Sequence, residues 1–362
     1  MAEIQKLAEV CALFDIPGTF ENGIPYGTGH INDTNLVTAG GTKYIFQKIN
    51  TNVFRAPEQL MDNMARVCCH LEKKFAGSED AGRKSIHLAK SRKGDFWATD
   101  NEGGFWRAYK FIDGARTFDV IEKTSDAVNA AKAFGSFQMA LADIGEPRLN
   151  DTIPDFHKTP KRLAALREAV KADVMGRKAG VAAEIDFVES RADICSKLTD
   201  LLARGVLPER ITHNDTKLNN VLIDDATGTG ICVIDLDTVM PGLVHYDFGD
   251  MVRTGTSPAA EDEKDLSKVF MRFEMFEALL RGYMAGAGSI LTKEEKELMP
   301  FAGRLITLEI GIRFLTDYLA GDVYFRIHRP EHNLDRCRTQ FKLVESIEEQ
   351  MNAMQRLMSS VK

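Results

Sequence analysis

ITHNDTKLNNVLIDDATGTGICVIDLD, residues 211–237, is the stretch on which the reading of this chain turns. It carries His213 and Asp215, then Asn220 five residues after the aspartate, then Asp235 at the close of an apolar run. Residues 221–223 and 231–234 are short β-rich runs, and the Asp, Thr and Gly residues between them are turn formers. Two antiparallel strands joined by such a turn bring their outer ends together. Asn220 precedes the first strand and Asp235 follows the second, so an amide oxygen and a carboxylate become neighbours. Oxygen ligands of that kind suit Mg²⁺, which a few protein oxygens hold together with nucleotide phosphates. Asp215 lies one loop upstream, placed to accept a hydroxyl proton. Capping of local turn amides is the other use such Asp and Asn residues have. His213 reads as a brace for the loop, and Asp237 as a solvated carboxylate in preference to an acid supporting the metal site from behind.

Upstream, GIPYGTGHINDTNLVTAGGTKYIFQKIN (residues 23–50) places Gly27-Thr28-Gly29 between strand candidates at 24–26 and 34–38. A turn at 39–42 leads into a third strand at 43–49. Strand, glycine loop, strand, turn, strand is the layout of a flap whose backbone N–H groups can approach phosphates. His30 and Asn32 are polar additions at the loop exit. A helix is expected over 3–15 and another over 56–75, the latter with an apolar stripe from Leu60 to Phe75. Residues 85–90 and 96–99 read as a hairpin around Lys93-Gly94, and 105–112 as a further strand. Beyond that the pattern becomes helical, over 126–143, 160–174, 182–204, 261–286 and 293–319. Thr292 with Glu295 makes a capping box for the last of these. The change of pattern places a lobe boundary near 111–114, giving a lobe of residues 1–112 and one of 113–362. The loop at 321–333, GDVYFRIHRPEHN, follows a helix carrying Glu309 and Arg313. It reads as a pocket lining, or as a surface loop beside an i,i+4 ion pair worth roughly 0.2–0.5 kcal/mol.

Composition sets outer limits. A chain of 362 residues with 44% hydrophobic and 27% charged residues can bury a large core. A net charge of −7 argues against nucleic acid and anionic membranes as partners. The opening MAEIQKLAEV lacks a signal-peptide pattern, and no apolar run reaches membrane-spanning length. The cysteines (11, 68, 69, 195, 232 and 337) show no metal spacing and read as reduced core thiols of a cytoplasmic protein.

His213-x-Asp215 with Asn220, followed by Asp235 at a strand end, matches the spacing of a kinase catalytic loop and its metal aspartate. With YGTGHIN, WRAYKFI, IDLDTVMPG, DFGD, EDEKDLSKV, RFLTDYL and PEHNL added, the chain resembles the aminoglycoside phosphotransferase-like kinases. Within them it looks most like the bacterial N-acetylhexosamine 1-kinases. The resemblance runs from residue 26 to residue 334. It implies an α+β, bilobal, protein-kinase-like fold, with a small sheet-rich N-lobe and a large, mainly helical C-lobe. It further implies that ATP and Mg²⁺ are used to phosphorylate the anomeric hydroxyl of N-acetylglucosamine or N-acetylgalactosamine; a monomer is expected. Carried over by position, Asp215 is the base, Asn220 and Asp235 hold Mg²⁺, and Gly27, Thr28, Gly29 and Asn32 cover the phosphates. The backbone at Tyr109, Phe111 and Ile112 meets adenine. His30, Arg313 and Tyr324 line the sugar site with Asp215. One departure stands out. The third strand reads YIFQKIN, with Gln47 where such kinases place a phosphate-holding cation. Either Gln47 contacts phosphate as a neutral donor or a cation elsewhere takes over, and Lys217 is a candidate. A kinase of the same fold with another small-molecule acceptor and a nucleotide-binding pseudokinase are the rival readings.

Overall fold

The computed structural model describes residues 2–27, 31–118 and 122–361. Helix α1 (Ala2–Cys11) is followed by strands β1 (Phe20–Pro25), β2 (Asp33–Ala39) and β3 (Thr42–Lys48). Helix α2 (Pro57–Phe75) then crosses to β4 (Ala98–Thr99) and β5 (Phe105–Lys110). These strands form one antiparallel sheet in the order β1-β2-β3-β5-β4. α1 is short and amphipathic, and Leu7, Val10 and Cys11 bury against Val37, Phe46 and Trp106 beneath the sheet. α2 turns Leu60, Met64, Val67 and Leu71 inward, as the apolar stripe requires.

The rest is mainly helical. Strand β6 (Ala115–Arg116) and helices α3 (Thr124–Ala140), α4 (Thr159–Ala172), α5 (Ala182–Glu189) and α6 (Lys197–Ala203) lead to the central hairpins. There β7 (Arg210–Thr212) pairs with β10 (Met240–Gly242), and β8 (Val221–Asp224) pairs with β9 (Gly230–Val233) and β6. Helices α7 (Val244–Gly255), α8 (Phe273–Ala287), α9 (Lys293–Glu297), α10 (Met299–Ala320) and α11 (His332–Ser360) complete the chain. This is the bilobal α+β fold, with a small antiparallel N-lobe and a larger helical C-lobe. Among the described residues no helix is long and apolar enough to cross a membrane. All six cysteines are free thiols, five of them buried.

Four expected elements come out differently. Residues 85–90 do not pair with 96–99. They run beside β5 on the edge away from β3, with Ala89 N–H donating to Ala108 (2.9 Å) and Lys110 N–H to His87 (2.9 Å), and residues 98–99 pair further along that same edge. The helix expected over 182–204 breaks into α5, a short 3₁₀ turn and α6. Arg191 at the break is tied to Glu348 of α11 (2.7 Å), and Val188, Ile194 and Leu198 still face one core. Residues 261–272 form no α-helix, only a 3₁₀ turn at Leu266–Lys268, and two of their carboxylates pair outside the stretch, Glu261 with Arg253 (2.8 Å) and Asp262 with Arg329 (3.2 Å) and His332 (3.0 Å). The helix over 293–319 is two helices meeting at Leu298. The capping box of α9 forms as expected, but Pro300 has no amide to continue its ladder.

The C-lobe core depends on a close approach of α3 and α8. A Cβ on Gly282 would lie 2.3 Å from the Val128 carbonyl oxygen, and one on Gly286 2.6 Å from that of Lys132. We expect Gly282→Ala to cost about 1–3 kcal/mol by forcing the helices apart. Thermal unfolding tests this, and an unchanged midpoint would show that the helices can slide.

Candidate active site

β8 and β9 are in antiparallel register with Val221 opposite Val233, and the Ile234 N–H donates to the Asn220 carbonyl (2.9 Å). Asn220 and Asp235 therefore flank the same end of the hairpin. Asp235 has φ +57°, a left-handed conformation that Asp tolerates better than most residues. It turns the chain sharply off the strand, and the residue stays solvent-accessible.

The loop before the hairpin is held from several sides. Asp247 accepts from the His213 amide (3.0 Å) and the Asn214 amide (2.7 Å), and its own carbonyl accepts from Thr216 Oγ1 (2.5 Å). The His213 ring bonds the Ile234 carbonyl (2.9 Å) and lies edge-on to Phe134 and Phe137, so it braces the loop against the hairpin. Asn220 Nδ2 donates to the Asp215 carbonyl (2.9 Å). Lys217 Nζ lies 3.1 Å from the Asp215 carboxylate. Burial works against the charged form of Asp215, but Lys217 and His213 outweigh it and hold the carboxyl below its ordinary value. Asp215 is thus an ionised acceptor at neutral pH. Asp247 was not singled out as a site residue, and its signal was the DFGD phrase.

Asp235 has the opposite electrostatics. Enclosure by protein, then the nearby Asp237 and Asp215 carboxylates, push it up to about 6. Its solvent access weakens that push. Negative charge converges here, and a bound cation would neutralise it. Among the described residues no group of three or more His, Cys, Asp or Glu side chains forms a complete metal cage. One amide oxygen and one carboxylate are a partial set. That fits Mg²⁺, which keeps waters and draws other ligands from phosphates.

Asp237 is a correction. It is buried, not solvated, and takes Arg107 of β5 as an ion-pair partner. It also accepts from Asn32 Nδ2 (2.6 Å), while Asn32 Oδ1 accepts from the Asn50 amide (2.9 Å). Gln47 is occupied as well: Oε1 accepts from Arg107 Nε (2.8 Å), and Nε2 donates to Thr34 Oγ1 (3.0 Å). Sheet register explains this. Thr34 lies opposite Gln47 and Gln47 opposite Arg107, so the three form one polar row on one face. No sequence motif pointed to Arg107, although it lies in the WRAYKFI phrase. The register was the missing signal.

Gly27 has φ +79° and open space where a Cβ would stand. Thr28, Gly29 and His30 lie outside the described residues. Tyr26 at the end of β1 meets the Phe111 ring edge-on (5.7 Å). The Phe111 amide donates to Lys43 (3.0 Å), Tyr109 is in the β3–β5 ladder opposite Ile45, and Ile112 is buried in the core. On the other side, Arg313 does not pair with Glu309. Glu309 is fully buried and takes His157 Nδ1 (2.8 Å) and Thr159 Oγ1 (2.5 Å), while His157 Nε2 bonds the Asn214 carbonyl (2.9 Å). Arg313 lies among the rings of Phe156, Tyr324 and Phe325 (5.1, 5.8 and 5.6 Å) and makes no ion pair among the described residues. Asp317 accepts from the amides of Val323, Tyr324 and Phe325 (2.9, 2.8 and 2.9 Å), which fixes the exposed Tyr324 beside it.

Residues 23–266 match the model of the phosphotransferase enzyme family, APH. The chain belongs to that family. Solved structures place this phosphotransferase among similar folds at low sequence identity. An aminoglycoside phosphotransferase from Alicyclobacillus acidocaldarius matches with TM-score 0.63 and 12% identity, over 97% of this chain and 96% of that one. A choline kinase from Cryptosporidium parvum matches with TM-score 0.59 and 17% identity, over 98% of each chain. A spectinomycin phosphotransferase in complex with ADP and spectinomycin matches with TM-score 0.55 and 13% identity, over 96% and 98%.

Proposed function

We propose that this phosphotransferase moves the γ-phosphoryl group of ATP to the anomeric C1 hydroxyl of N-acetylglucosamine and N-acetylgalactosamine. Residues 1–112 would carry the nucleotide and 113–362 the catalytic loop and the sugar. Family membership supports phosphotransfer, and the ADP-bound spectinomycin enzyme supports ATP as donor.

One observation carries the choice of acceptor. Two guanidiniums stand near Phe156: Arg162, whose Nη2 donates to the Phe156 carbonyl (2.8 Å), and Arg313 over its ring. Burial, then the Arg313 charge, lower the Arg162 guanidinium below its ordinary value. The nearby carboxylate of Glu309 is committed to His157 and Thr159. A cationic acceptor would meet two guanidiniums here, offset in part by Glu309 and Asp155. A neutral ring with hydroxyl and amide groups would meet donors and aromatic faces instead.

In the transfer, Asp215 accepts the proton of the C1 hydroxyl as the hydroxyl oxygen bonds to the γ-phosphorus and the bond to the β-phosphate oxygen breaks, releasing ADP. Lys217 beside it would meet charge on the transferring group. Asn220 and Asp235 would hold Mg²⁺, which supplies charge neutralisation at the phosphates when bound.

An ATP-consumption screen over free sugars, amino alcohols and aminoglycosides tests the reading. N-Acetylhexosamines should lead, and glucose and galactose should trail by about one to two decades in kcat/KM. That is the penalty of about 1–3 kcal/mol for a polar pocket group left unpaired. Choline or an aminoglycoside leading the screen would move the acceptor class to that of the structural relatives, and no turnover on any acceptor would favour a pseudokinase. Arg313→Ala should lower kcat/KM for the sugar by about 10- to 100-fold and leave KM for ATP unchanged. An equal rise in both KM values would remove Arg313 from the acceptor side.

A further inference from the structure

We propose that Arg107 is the positioning cation of the nucleotide side, acting through Asp237 and Asn32 and not from the third strand. The inference rests on the phosphotransfer reading above. Arg107 is 1% exposed, yet its guanidinium reaches three elements. Nε donates to Gln47 of β3, and Nη1 meets the Met64 sulfur of α2 (3.2 Å) and the Asp237 carboxylate. Asp237 lies two residues beyond Asp235, and its second carboxylate oxygen takes Asn32 at the exit of the glycine loop. The Asp237 carbonyl accepts from Thr152 (2.9 Å), so this turn is also anchored within the C-lobe. One ionic cluster thereby joins the loop exit, the third strand, α2 and the turn carrying Asp235. Gln47, where a cation was expected, serves as a neutral strut between Thr34 and Arg107.

A buried ion pair adds little stability over apolar packing, but removing one partner leaves an uncompensated charge. In Arg107→Met that charge is the Asp237 carboxylate, beside the place where polyphosphate enters. Nucleotide affinity should therefore fall about 10- to 100-fold, while KM for the acceptor stays unchanged. Arg107→Met/Asp237→Asn removes both charges and should regain at least tenfold of the lost affinity. Arg107→Lys keeps the charge but not the two-point reach, and should lose about three- to tenfold.

The readout is titration of the full-length protein with a fluorescent ADP analogue at fixed Mg²⁺, with circular dichroism to confirm folding. Unchanged nucleotide affinity in folded Arg107→Met, or in Arg107→Lys should the former not fold, overturns the proposal. So does a double variant that binds no better than the single one, because Arg107 would then act directly or only as packing. Failure of the unaltered protein to phosphorylate any sugar would sink the acceptor reading and leave this titration standing.

Discussion

Asp215→Asn is expected to lower phosphoryl transfer by roughly 10²–10⁴-fold, the usual contribution of a positioned general base. The substitution keeps the shape of the side chain but removes its charge, and with it both the capacity to take a proton and the ion pair with Lys217. The surrounding loop has anchors that do not involve this carboxylate: the amides of His213 and Asn214 bond Asp247, and the His213 ring bonds the Ile234 carbonyl. Folding and binding of ATP and sugar should survive, so the loss appears in kcat. Single-turnover kinetics separate the two. Near-normal turnover would remove Asp215 from the role of base, and a loss confined to binding would do the same.

Asp235→Asn is expected to cost about 10³-fold or more in kcat/KM, since several kcal/mol of charge stabilisation depend on the ion it would hold. Asn is the informative replacement because it also tolerates the left-handed backbone at this position. Asn220→Ala should raise the Mg²⁺ requirement less, having lost a neutral ligand. Metal-free stability should move the other way. The Asp235 carboxyl is pushed up from 3.8 toward about 6, a push that its solvent access weakens, so the folded state binds its proton more tightly than the unfolded state does. Wild-type stability is therefore lost as pH rises through this interval, and Asp235→Asn escapes that loss. Thermal unfolding from pH 4 to pH 7 in a chelator checks the sign. Unchanged Mg²⁺ dependence in both variants would contradict the ligand assignment.

The sequence made the central hairpin legible because its turn chemistry and strand lengths admit one pairing, and that pairing forces Asn220 and Asp235 together. Asp237 was misread because a carboxylate after a strand carries no local sign of its partner, and Arg107 lies 130 positions away. The row Thr34–Gln47–Arg107 becomes visible only once the register across β2, β3 and β5 is known. Glu309 was paired with Arg313 on helical spacing. His157 and Thr159 outcompeted Arg313 because a fully buried carboxylate takes the nearest fixed donors. The single helix over 293–319 failed at Pro300, which periodicity counting passes over.

The position of the phosphate on the sugar tests the proposed transfer most directly. The phosphotransferase, ATP, Mg²⁺ and N-acetylglucosamine are incubated, and the product is examined by phosphorus–proton NMR. Phosphorus should couple to the anomeric proton, with loss of the reducing end. Phosphate at C6, or an unmodified sugar under conditions where choline or an aminoglycoside is phosphorylated, would contradict it.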